Sequence, residues 1–374
     1  MRNRLELLAL MNENKALAAL ESDLRKLPVA PTAGMLGSGG TQLKIVAEKG
    51  TTEVDVTLGF PAESTRKSLT ADIERLLAAA DVTGARISIE SRIESHSVSH
   101  GLTPLPGVKN IIAVASGKGG VGKSTMAVNL AAACAAEGAA TGLLDADIYG
   151  PSQPTMLGLE SARPESADGK TMEPIIAHGL QSMSIGYLVD DRQPMAWRGP
   201  MVTSALTQLL NQTHWQNLDY LFIDMPPGTG DIQLTLAQRV PVSGAVIITT
   251  PQEVALADSR KALEMFRKVN VPVLGVIENM STHVCSHCGH EEAVFGTAGG
   301  AALAQEYEVP LLAQMPLELA VREAADDGTP AVLRSPDGAA AERLRAAALR
   351  VTGALAAAGR DYSHLFPKIT VEDS

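Results

Sequence analysis

The residues best suited to chemistry form a glycine-rich loop at positions 117–125, with the sequence Gly-Lys-Gly-Gly-Val-Gly-Lys-Ser-Thr. The spacing G-x-x-x-x-G-K-S is that of a phosphate-binding loop, in which backbone N–H groups surround phosphate oxygens at the start of a helix. Lys123 is expected to reach the terminal phosphates of ATP, and the Ser124 hydroxyl is expected to help hold Mg²⁺. The predicted nucleotide-binding residues of the loop are Gly117, Lys118, Gly119, Gly120, Val121, Gly122, Lys123, Ser124 and Thr125.

Lys118 is an additional cation near the start of this loop, and most phosphate-binding loops do not need it. Its early position directs its side chain away from the phosphates of its own site. A cation placed there is most useful on the nucleotide of a facing subunit, where negative charge develops during phosphoryl transfer. The loop therefore predicts ATP hydrolysis, with Lys118 and Lys123 as catalytic residues, and a face-to-face homodimer.

The segments on either side of the loop have the composition that a phosphate-binding loop requires. Residues 110–116 form a short apolar run, typical of a buried parallel strand. Residues 124–137 are rich in Ala, Leu and Met and are followed by Gly138, as expected of a helix with a glycine stop. Strand, loop and helix thus follow one another in the required order.

Carboxylates follow two of the predicted strands. Asp145 and Asp147 lie two residues apart at the end of an apolar run, so that both face the same side. One can shape the Mg²⁺ environment and the other can orient the attacking water, although acidic loop residues are more often turn formers. Asp224 ends another apolar strand, the position of a Walker B carboxylate that acts on Mg²⁺ through water. The next loop, residues 226–230, is predicted to sense the γ-phosphate.

Asn279 ends the strand predicted over residues 273–278. Its side-chain amide could pair with the adenine edge of the nucleotide. A role in capping a turn is nearly as compatible with the local sequence.

Cys285 and Cys288 bracket two residues, a spacing with which two thiolates can hold one metal centre. Three interpretations compete: a Zn²⁺ site, a redox dithiol and a shared iron–sulfur cluster. Spacing alone favours zinc. The zinc ligand set would be completed by one or more of His283, His287 and His290.

A four-sulfur site would need two copies of the chain, because the sequence contains three cysteines and a single close pair. Two chains about a two-fold axis would each donate Cys285 and Cys288, the same symmetry that Lys118 suggests. This argument makes a shared cluster about as favourable as zinc. Cys134 lies among alanines of a predicted helix and is expected to be a buried small hydrophobe.

Bulk composition limits the function classes. The chain has 374 residues, a formal net charge of −11 and 3% aromatic residues. A duplex-binding protein shows a basic face and a single-strand binder shows stacking aromatics, so no nucleic-acid partner is expected. The sequence has no apolar stretch of membrane-spanning length and no signal-peptide core at its start, and its few cysteines do not suggest disulfides. We expect no membrane partner and a cytoplasmic location.

The predicted elements divide the chain into domains. Residues 1–95 form a small α+β domain, residues 96–108 a linker, residues 109–365 the nucleotide-binding domain and residues 366–374 a tail. The linker histidines, His96 and His100, are expected to lie in solvent. From residue 109 onward, strands alternate with helices, which predicts a mostly parallel sheet covered by helices, with ligands at the carboxyl ends of the strands. The predicted strands in that part span residues 111–116, 141–145, 220–224, 244–250, 273–278 and 310–314, and the helices span 124–137, 201–212, 255–269 and 298–307.

With these motifs, the chain closely resembles the Mrp/ApbC-type iron–sulfur cluster carrier ATPases, in the deviant-Walker P-loop class that includes nitrogenase iron protein, MinD and ParA. The resemblance covers about residues 108–333. It implies an α/β P-loop NTPase fold, and a cytosolic homodimer that hydrolyses ATP slowly. It also implies a [4Fe–4S] cluster bridged by the two Cys285/Cys288 pairs and delivered to apoproteins. The motifs that carry it are residues 117–125, 145–152, 197–201, 224–233 and 278–280, and the cysteine pair that precedes residues 295–296.

By motif match, Lys118 is the signature lysine, Asp147 the switch carboxylate and Asp224 the Walker B carboxylate. The chain departs from the family in two places. Ser286 stands where the family often has proline, which changes loop stiffness but not ligand number. The N-terminal region resembles a degenerate MIP18-type domain without its Asp-Pro and cysteine signatures, which puts a separate cluster role in doubt.

Two other functions compete with that of a cluster carrier. A MinD/ParA-like positioning ATPase with a structural zinc site would need a membrane-binding helix or a basic surface. The C-terminal segment, residues 339–358, is instead typical of a helix that packs on the domain. An electron-donating reductase like nitrogenase iron protein is disfavoured, because its ligand cysteines occur singly at other positions of that fold.

Overall fold

The computed structural model describes residues 17–48, 51–98, 102–166, 168–189, 199–285 and 287–358. Predictions for residues 1–16, His100, residues 197–198, Ser286 and residues 366–374 therefore fall outside the described residues. The described residues divide into two compact units, residues 17–93 with 352–358 and residues 94–351, so the end of the helix over Ala339–Ala356 belongs to the first unit. Within the described ranges, no helix is both long and apolar enough to span a bilayer.

The first unit is a small α+β structure. Its sheet has the order β1-β2-β3, with β1 antiparallel and β3 parallel to β2. Helix α2 buries Leu69, Ile73 and Leu77, spaced at about one helical turn, in the core of this unit. The α+β class predicted for this region is therefore confirmed. The elements are α1 (residues 17–25), β1 (Thr41–Glu48), β2 (Thr51–Leu58), α2 (Glu63–Ala79) and β3 (Arg86–Ser91).

The second unit alternates strands and helices, as predicted. It also contains a short 3₁₀ turn after β7. In chain order, the elements are β4 (Val108–Ala115), α3 (Lys123–Ala136), β5 (Thr141–Asp145), α4 (Gln153–Met156), β6 (Ile175–Ala177), β7 (Leu180–Ser184), α5 (Gly199–Gln212), β8 (Leu218–Asp224), α6 (Asp231–Arg239), β9 (Gly244–Thr249), α7 (Glu253–Lys268), β10 (Val273–Val284), β11 (Glu291–Glu292), α8 (Gly299–Glu306), β12 (Leu311–Leu317), α9 (Leu319–Asp326), α10 (Ala331–Arg334) and α11 (Ala339–Ala356).

The strands of this unit form a nine-stranded sheet. Parallel pairs join its strands in the order β12-β10-β9-β4-β8-β5-β7, while β6 and β11 are antiparallel additions. The predicted α/β fold with a mostly parallel sheet is confirmed. Since parallel strands end at one edge, the carboxyl ends of β4, β5 and β8 lie side by side and can form one site.

Helix α3, which follows the glycine loop, is buried along most of its length. Its alanines allow it to pack closely on the sheet, against β5 and β8. Cys134 lies on this helix and is buried, and burial raises the pKa of its thiol. The prediction that Cys134 acts as a small hydrophobe in the core is confirmed.

Two strand predictions differ from the structure. The strand predicted to end at residue 278 continues as β10 to Val284, through a register break and a left-handed residue, Met280, with φ 54°. The β6–β7 pair was not predicted at all. Strand β7 buries the polar residues Ser182 and Ser184, so an apolar pattern does not reveal it.

The prediction that His96 lies in solvent is wrong. The side chain is 4% exposed, because the carboxamide of Asn110 on β4 binds the segment around it. Asn110 Oδ1 accepts from the His96 backbone N–H at 3.0 Å and lies 2.9 Å from the ring Nδ1. Asn110 Nδ2 donates to the carbonyl oxygens of Glu94 at 2.9 Å and Asp219 at 3.2 Å. This single amide fixes the chain where it enters the central sheet.

We expect Asn110→Ala to lower the free energy of unfolding by roughly 2–4 kcal/mol, because several buried polar groups lose their partner together. The neighbouring Lys109→Ala is the control. Its ammonium, on a side chain that is 47% exposed, lies 2.7 Å from Asp219 Oδ1. Such an exposed pair contributes below about 1 kcal/mol. Urea denaturation followed by tryptophan fluorescence measures both variants, and equal losses would contradict the role given to Asn110.

Candidate nucleotide site and cysteine hairpin

The glycine loop leads directly into α3, which begins at Lys123. The residue that precedes the helix is Gly122, in the left-handed conformation with φ 83°. Because glycine has no side chain to cap the helix, the first-turn N–H groups are left for a ligand, at the positive end of the helix dipole. This arrangement suits a phosphate group.

Two glycines of the loop are required by close contacts. A Cβ on Gly117 would lie 2.2 Å from the carbonyl carbon and oxygen of Asp258 on α7. A Cβ on Gly122 would lie 2.2 Å from Nδ2 of Asn279. Both distances are far below van der Waals contact, so the loop is pressed against α7 on one side and β10 on the other.

Strand register brings the predicted carboxylates together. Asp145 at the end of β5 is the register partner of Asp224 on β8 and of Ser184 on β7. Side chains of register partners lie on the same face of a sheet. Both carboxylates are fully buried, so their charges depend on the groups around them.

Lys123 supplies the compensating charge. Its side chain is 6% exposed, and its ammonium donates to Asp224 Oδ1 in a buried ion pair. The same ammonium lies 3.3 Å from the Ser124 hydroxyl. The other carboxylate oxygen of Asp224 accepts from the side-chain amide of Gln153 at 2.9 Å. Lys123, Ser124 and Asp224, which the sequence predicted for one site, are therefore brought together.

Asp145 organises the loop that follows its own strand. Its carboxylate accepts from the backbone N–H groups of Asp147, Ser152 and Gln153, each at 3.1 Å, and from the Ser184 hydroxyl at 3.1 Å. Burial and the negative charge of Asp224 raise the pKa of Asp145 to about 7, against the opposing effect of these hydrogen bonds and of the charge on Lys123. Asp145 is thus buried beneath the loop.

Asp147 lies in the same loop but is only partly buried. Burial raises its pKa, and the positive charge of Lys123 opposes the shift. Of the two carboxylates that the sequence placed at the end of this strand, Asp147 is the one that reaches the surface of the site. The division of roles between them stays a prediction.

The loop predicted to sense the γ-phosphate is attached to the phosphate loop. The Gly228 N–H donates to the Ser116 carbonyl at 3.0 Å. The side-chain amide of Gln233, on α6, donates to the Pro227 carbonyl. The segment is therefore held at both of its sides, next to the residues that would contact phosphate.

Asn279 lies within β10 and is buried. Its Nδ2 donates to the Val121 carbonyl of the phosphate loop at 2.8 Å. The contact that the structure shows is thus with the loop itself, and the proposed contact with adenine stays a prediction. Strand β10 is held against the phosphate loop by this hydrogen bond.

Cys285 and Cys288 lie at the tip of a hairpin. Strand β10 pairs with the short β11, so that His283 is opposite Glu292. The tip is closed by two backbone hydrogen bonds, from Cys285 N–H to the His290 carbonyl at 2.9 Å and from Gly289 N–H to the Cys285 carbonyl at 2.8 Å. These two hydrogen bonds hold the backbone of Cys285 against Gly289 and His290.

The hairpin favours thiolate formation at Cys285. Hydrogen bonds from the backbone N–H groups of Cys288 and His287, and from the Cys288 side chain, lower the pKa of the Cys285 thiol. Thiolates are the form that binds metal. The Cys285 side chain is half-buried and that of Cys288 is exposed, so both sulfurs lie at the surface.

Zinc bound with the help of His283, His287 or His290, one of the three interpretations of the cysteine pair, stays a prediction. No three His, Cys, Asp or Glu side chains among the described residues come together as a metal site. Each chain thus presents two sulfur ligands, and a tetrahedral metal site needs four.

Sequence reasoning gave no role to two glutamines that contact the site, Gln153 and Gln233. Glutamine carries no charge and follows no apolar period, so residue type alone marks neither, although Gln233 is the last residue of the motif at residues 224–233. The one available signal for Gln153 is its position directly after the motif of residues 145–152.

The glycine loop ahead of α3, the buried acid at the end of β8 and the parallel sheet define a P-loop nucleotide-binding protein. The family model for "ParA: NUBPL iron-transfer P-loop NTPase" matches residues 107–352. The chain belongs to this family, as the resemblance predicted.

Similar proteins include an iron–sulfur cluster carrier protein of Escherichia coli K12, 61% identical over 249 residues, or 67% of this chain and 68% of that protein. The iron–sulfur cluster transfer protein NUBPL of Mus musculus is 52% identical over 235 residues, covering 62% and 73% of the two chains. A solved nucleotide-binding protein of Archaeoglobus fulgidus in complex with ADP is 36% identical, with a TM-score of 0.54. That match covers 60% of this chain and 88% of the other.

We expect Gly117→Ala to destabilise the protein without nucleotide by roughly 1–3 kcal/mol, because the added methyl group overlaps the backbone of α7. Gly119→Ala in the same loop is the control, since a Cβ there would lie 3.9 Å from its nearest neighbour, Pro227. This second variant should stay within about 0.5 kcal/mol of the wild type. Thermal unfolding in the absence of nucleotide separates the two, and a Gly117→Ala variant as stable as Gly119→Ala would refute the close contact.

Proposed function

We propose that this protein is an ATP-binding and ATP-hydrolysing iron–sulfur cluster carrier. It acts as a cytoplasmic homodimer that binds a [4Fe–4S] cluster through Cys285 and Cys288 of both subunits and delivers the cluster to apoproteins. The family membership and the names of its bacterial and mouse relatives support this proposal. A surface pair of thiols, one of them with a lowered pKa, supports it from the structure.

The observation that carries the proposal is the course of β10. Asn279 on this strand is hydrogen-bonded to the phosphate loop, and Cys285 follows directly after the end of the strand at Val284. A change in the phosphate loop therefore reaches the cysteine hairpin through one continuous segment. We infer that ATP binding changes the affinity of the cysteine hairpin for the cluster through this shared strand.

Nucleotide binding requires Lys123 to exchange partners. Its ammonium pairs with Asp224 in the structure, and on binding it would turn to the phosphate oxygens. We assign to Asp147 the role of orienting the attacking water, and its partial exposure supports this role.

The residues around Lys123 fit Mg²⁺, which prefers oxygen ligands. The Ser124 hydroxyl and the Asp224 carboxylate both lie at the Lys123 ammonium. Two buried oxygens at the start of α4, Ser152 Oγ and Gln153 Oε1, have no hydrogen-bond partner in the described structure. Ser124 would hold the ion directly and Asp224 through water. When bound, Mg²⁺ neutralises charge that develops on the phosphate oxygens.

Lys118 completes the proposal at the subunit interface. Its side chain is exposed, while the Ser116 hydroxyl donates to its backbone carbonyl at 2.9 Å and fixes the start of the loop. A fixed backbone with an outward cation suits a residue that acts on the facing subunit's nucleotide.

We expect Cys285→Ala and Cys288→Ala each to abolish cluster binding after anaerobic reconstitution with iron and sulfide, because each variant lacks one of the thiolates that would bind the cluster. Bound iron should fall at least about tenfold. Loss of a group that only hydrogen-bonds a metal ligand already lowers metal affinity by about 10- to 100-fold. Cys134→Ala, which changes a buried thiol on α3, should keep the wild-type content. Absorbance, iron and labile sulfide are measured.

Equal cluster content in the wild type and in Cys285→Ala would contradict the carrier proposal. Stoichiometric zinc in the purified wild type, with no cluster after reconstitution, would favour the positioning ATPase with a structural zinc site.

We expect Lys118→Ala and Lys123→Ala each to reduce ATP hydrolysis by about 100-fold or more, because each removes a cation from the developing charge. A co-expressed mixture should regain roughly one quarter of the wild-type rate, since half of the dimers would hold one complete site. That site combines Lys123 of the Lys118→Ala chain with Lys118 of the other chain. A mixture as inactive as its parents would show that Lys118 acts within its own subunit.

A further inference from the structure

Gln153 is the first residue of α4, and its side chain is 1% exposed. Its Nε2 donates to Asp224 Oδ2 at 2.9 Å and to the Ser124 carbonyl at 3.1 Å. Both amide protons are thereby used. One neutral side chain thus joins the start of α3 to the acid at the end of β8.

The position of Gln153 is itself fixed by a hydrogen bond from its backbone. Its backbone N–H donates to Asp145 Oδ2 at 3.1 Å, so the loop that Asp145 organises also sets the place of this glutamine. The amide therefore has little freedom to move when the site is loaded. A rigidly held donor is what a positioning residue requires.

The carboxylate of Asp224 has two side-chain donors in the described part of the chain, Lys123 on Oδ1 and Gln153 on Oδ2. Lys123 leaves this carboxylate when it turns to the phosphates. Asp224 is fully buried, and a buried carboxylate that lost both donors would be strongly destabilised. Gln153 remains and keeps the plane of the carboxylate fixed while Oδ1 becomes available.

The remaining polar atom of the glutamine is further evidence that a ligand binds beside it. Gln153 Oε1 is buried and has no hydrogen-bond partner among the described residues. The neighbouring Ser152 Oγ is in the same condition. Buried oxygens of this kind are acceptors for water, and a hydrated Mg²⁺ ion is a source of such water.

We propose that Gln153 is a positioning residue for the metal site: its amide N–H orients Asp224, and its carbonyl oxygen accepts from water bound to Mg²⁺. This inference rests on the proposed function, because it assumes that Mg²⁺ and a nucleotide bind at this site. The residue does not touch the reacting phosphate and acts through Asp224 and water.

The test compares Gln153→Met, which keeps the length of the side chain without its hydrogen bonds, with Gln181→Met in the full-length protein. Gln181 is a matched control: its amide bonds the backbone of Gln216 at 2.8 and 2.9 Å, away from the nucleotide site. Electron paramagnetic resonance measures Mn²⁺ binding in the presence of ADP. Hydrolysis of ATP is measured against Mg²⁺ concentration.

We expect Gln153→Met to weaken Mn²⁺ binding by about 10- to 100-fold, as changes around metal ligands do. The concentration of Mg²⁺ that gives half-maximal hydrolysis should rise by a similar factor, while ADP affinity without metal stays within about twofold. Gln181→Met should match the wild type in all three. Should Gln153→Met fail to fold, Gln153→Asn is used, which keeps the amide but shortens its reach, and it should weaken metal binding at least about threefold.

Wild-type Mn²⁺ affinity in the Gln153 variant would overturn the inference, as would an equal loss in Gln181→Met. A wild type that binds Mn²⁺ with ADP but hydrolyses no ATP would instead contradict the proposed function, and the Mn²⁺ comparison would still decide the role of Gln153.

Discussion

The buried ion pair between Lys123 and Asp224 joins the phosphate loop to the carboxyl edge of the central sheet. Neither charge is stable in this position alone, since a buried charge without a partner costs several kcal/mol. If phosphate binds Lys123, as proposed, other donors must replace Lys123 at the Asp224 carboxylate. This requirement explains why hydrogen-bond donors surround Asp224 and Asp145 so closely.

The second carboxylate adjusts the charge of the same site. Burial and the negative charge of Asp224 raise the pKa of Asp145 to about 7, so the Asp145 carboxyl is about half protonated near neutral pH and carries less negative charge beside Asp224. The folded state holds this proton more tightly than the unfolded chain, whose Asp has a pKa near 3.8. The contribution of Asp145 to stability is therefore complete below about pH 4 and is lost as the pH rises towards and through about 7.

Much of the nucleotide site follows from local sequence. The residues of the loop at 117–125 and Asp224 occupy the positions that their motifs predict, because each motif is read in the context of a strand and a helix. Those motifs cannot show which polar groups tertiary contacts will bury. His96 was expected in solvent and is buried by Asn110, and Gln153 has no local pattern that would mark it. Strand β7 was missed since its buried residues include two serines.

The structure of β10 bears on how a nucleotide could alter a distant metal site. A ligand shifts an equilibrium only by interacting differently with its two states. Asn279 contacts the phosphate loop on the strand that leads to the cysteine hairpin, and the register break between Asn279 and His283 lies between the two sites. A regular ladder resists sliding, whereas a break with a left-handed residue, Met280, permits a local change in the path of the strand. Under the proposed function, this break would let the hairpin respond to the phosphate loop while the rest of the sheet keeps its register.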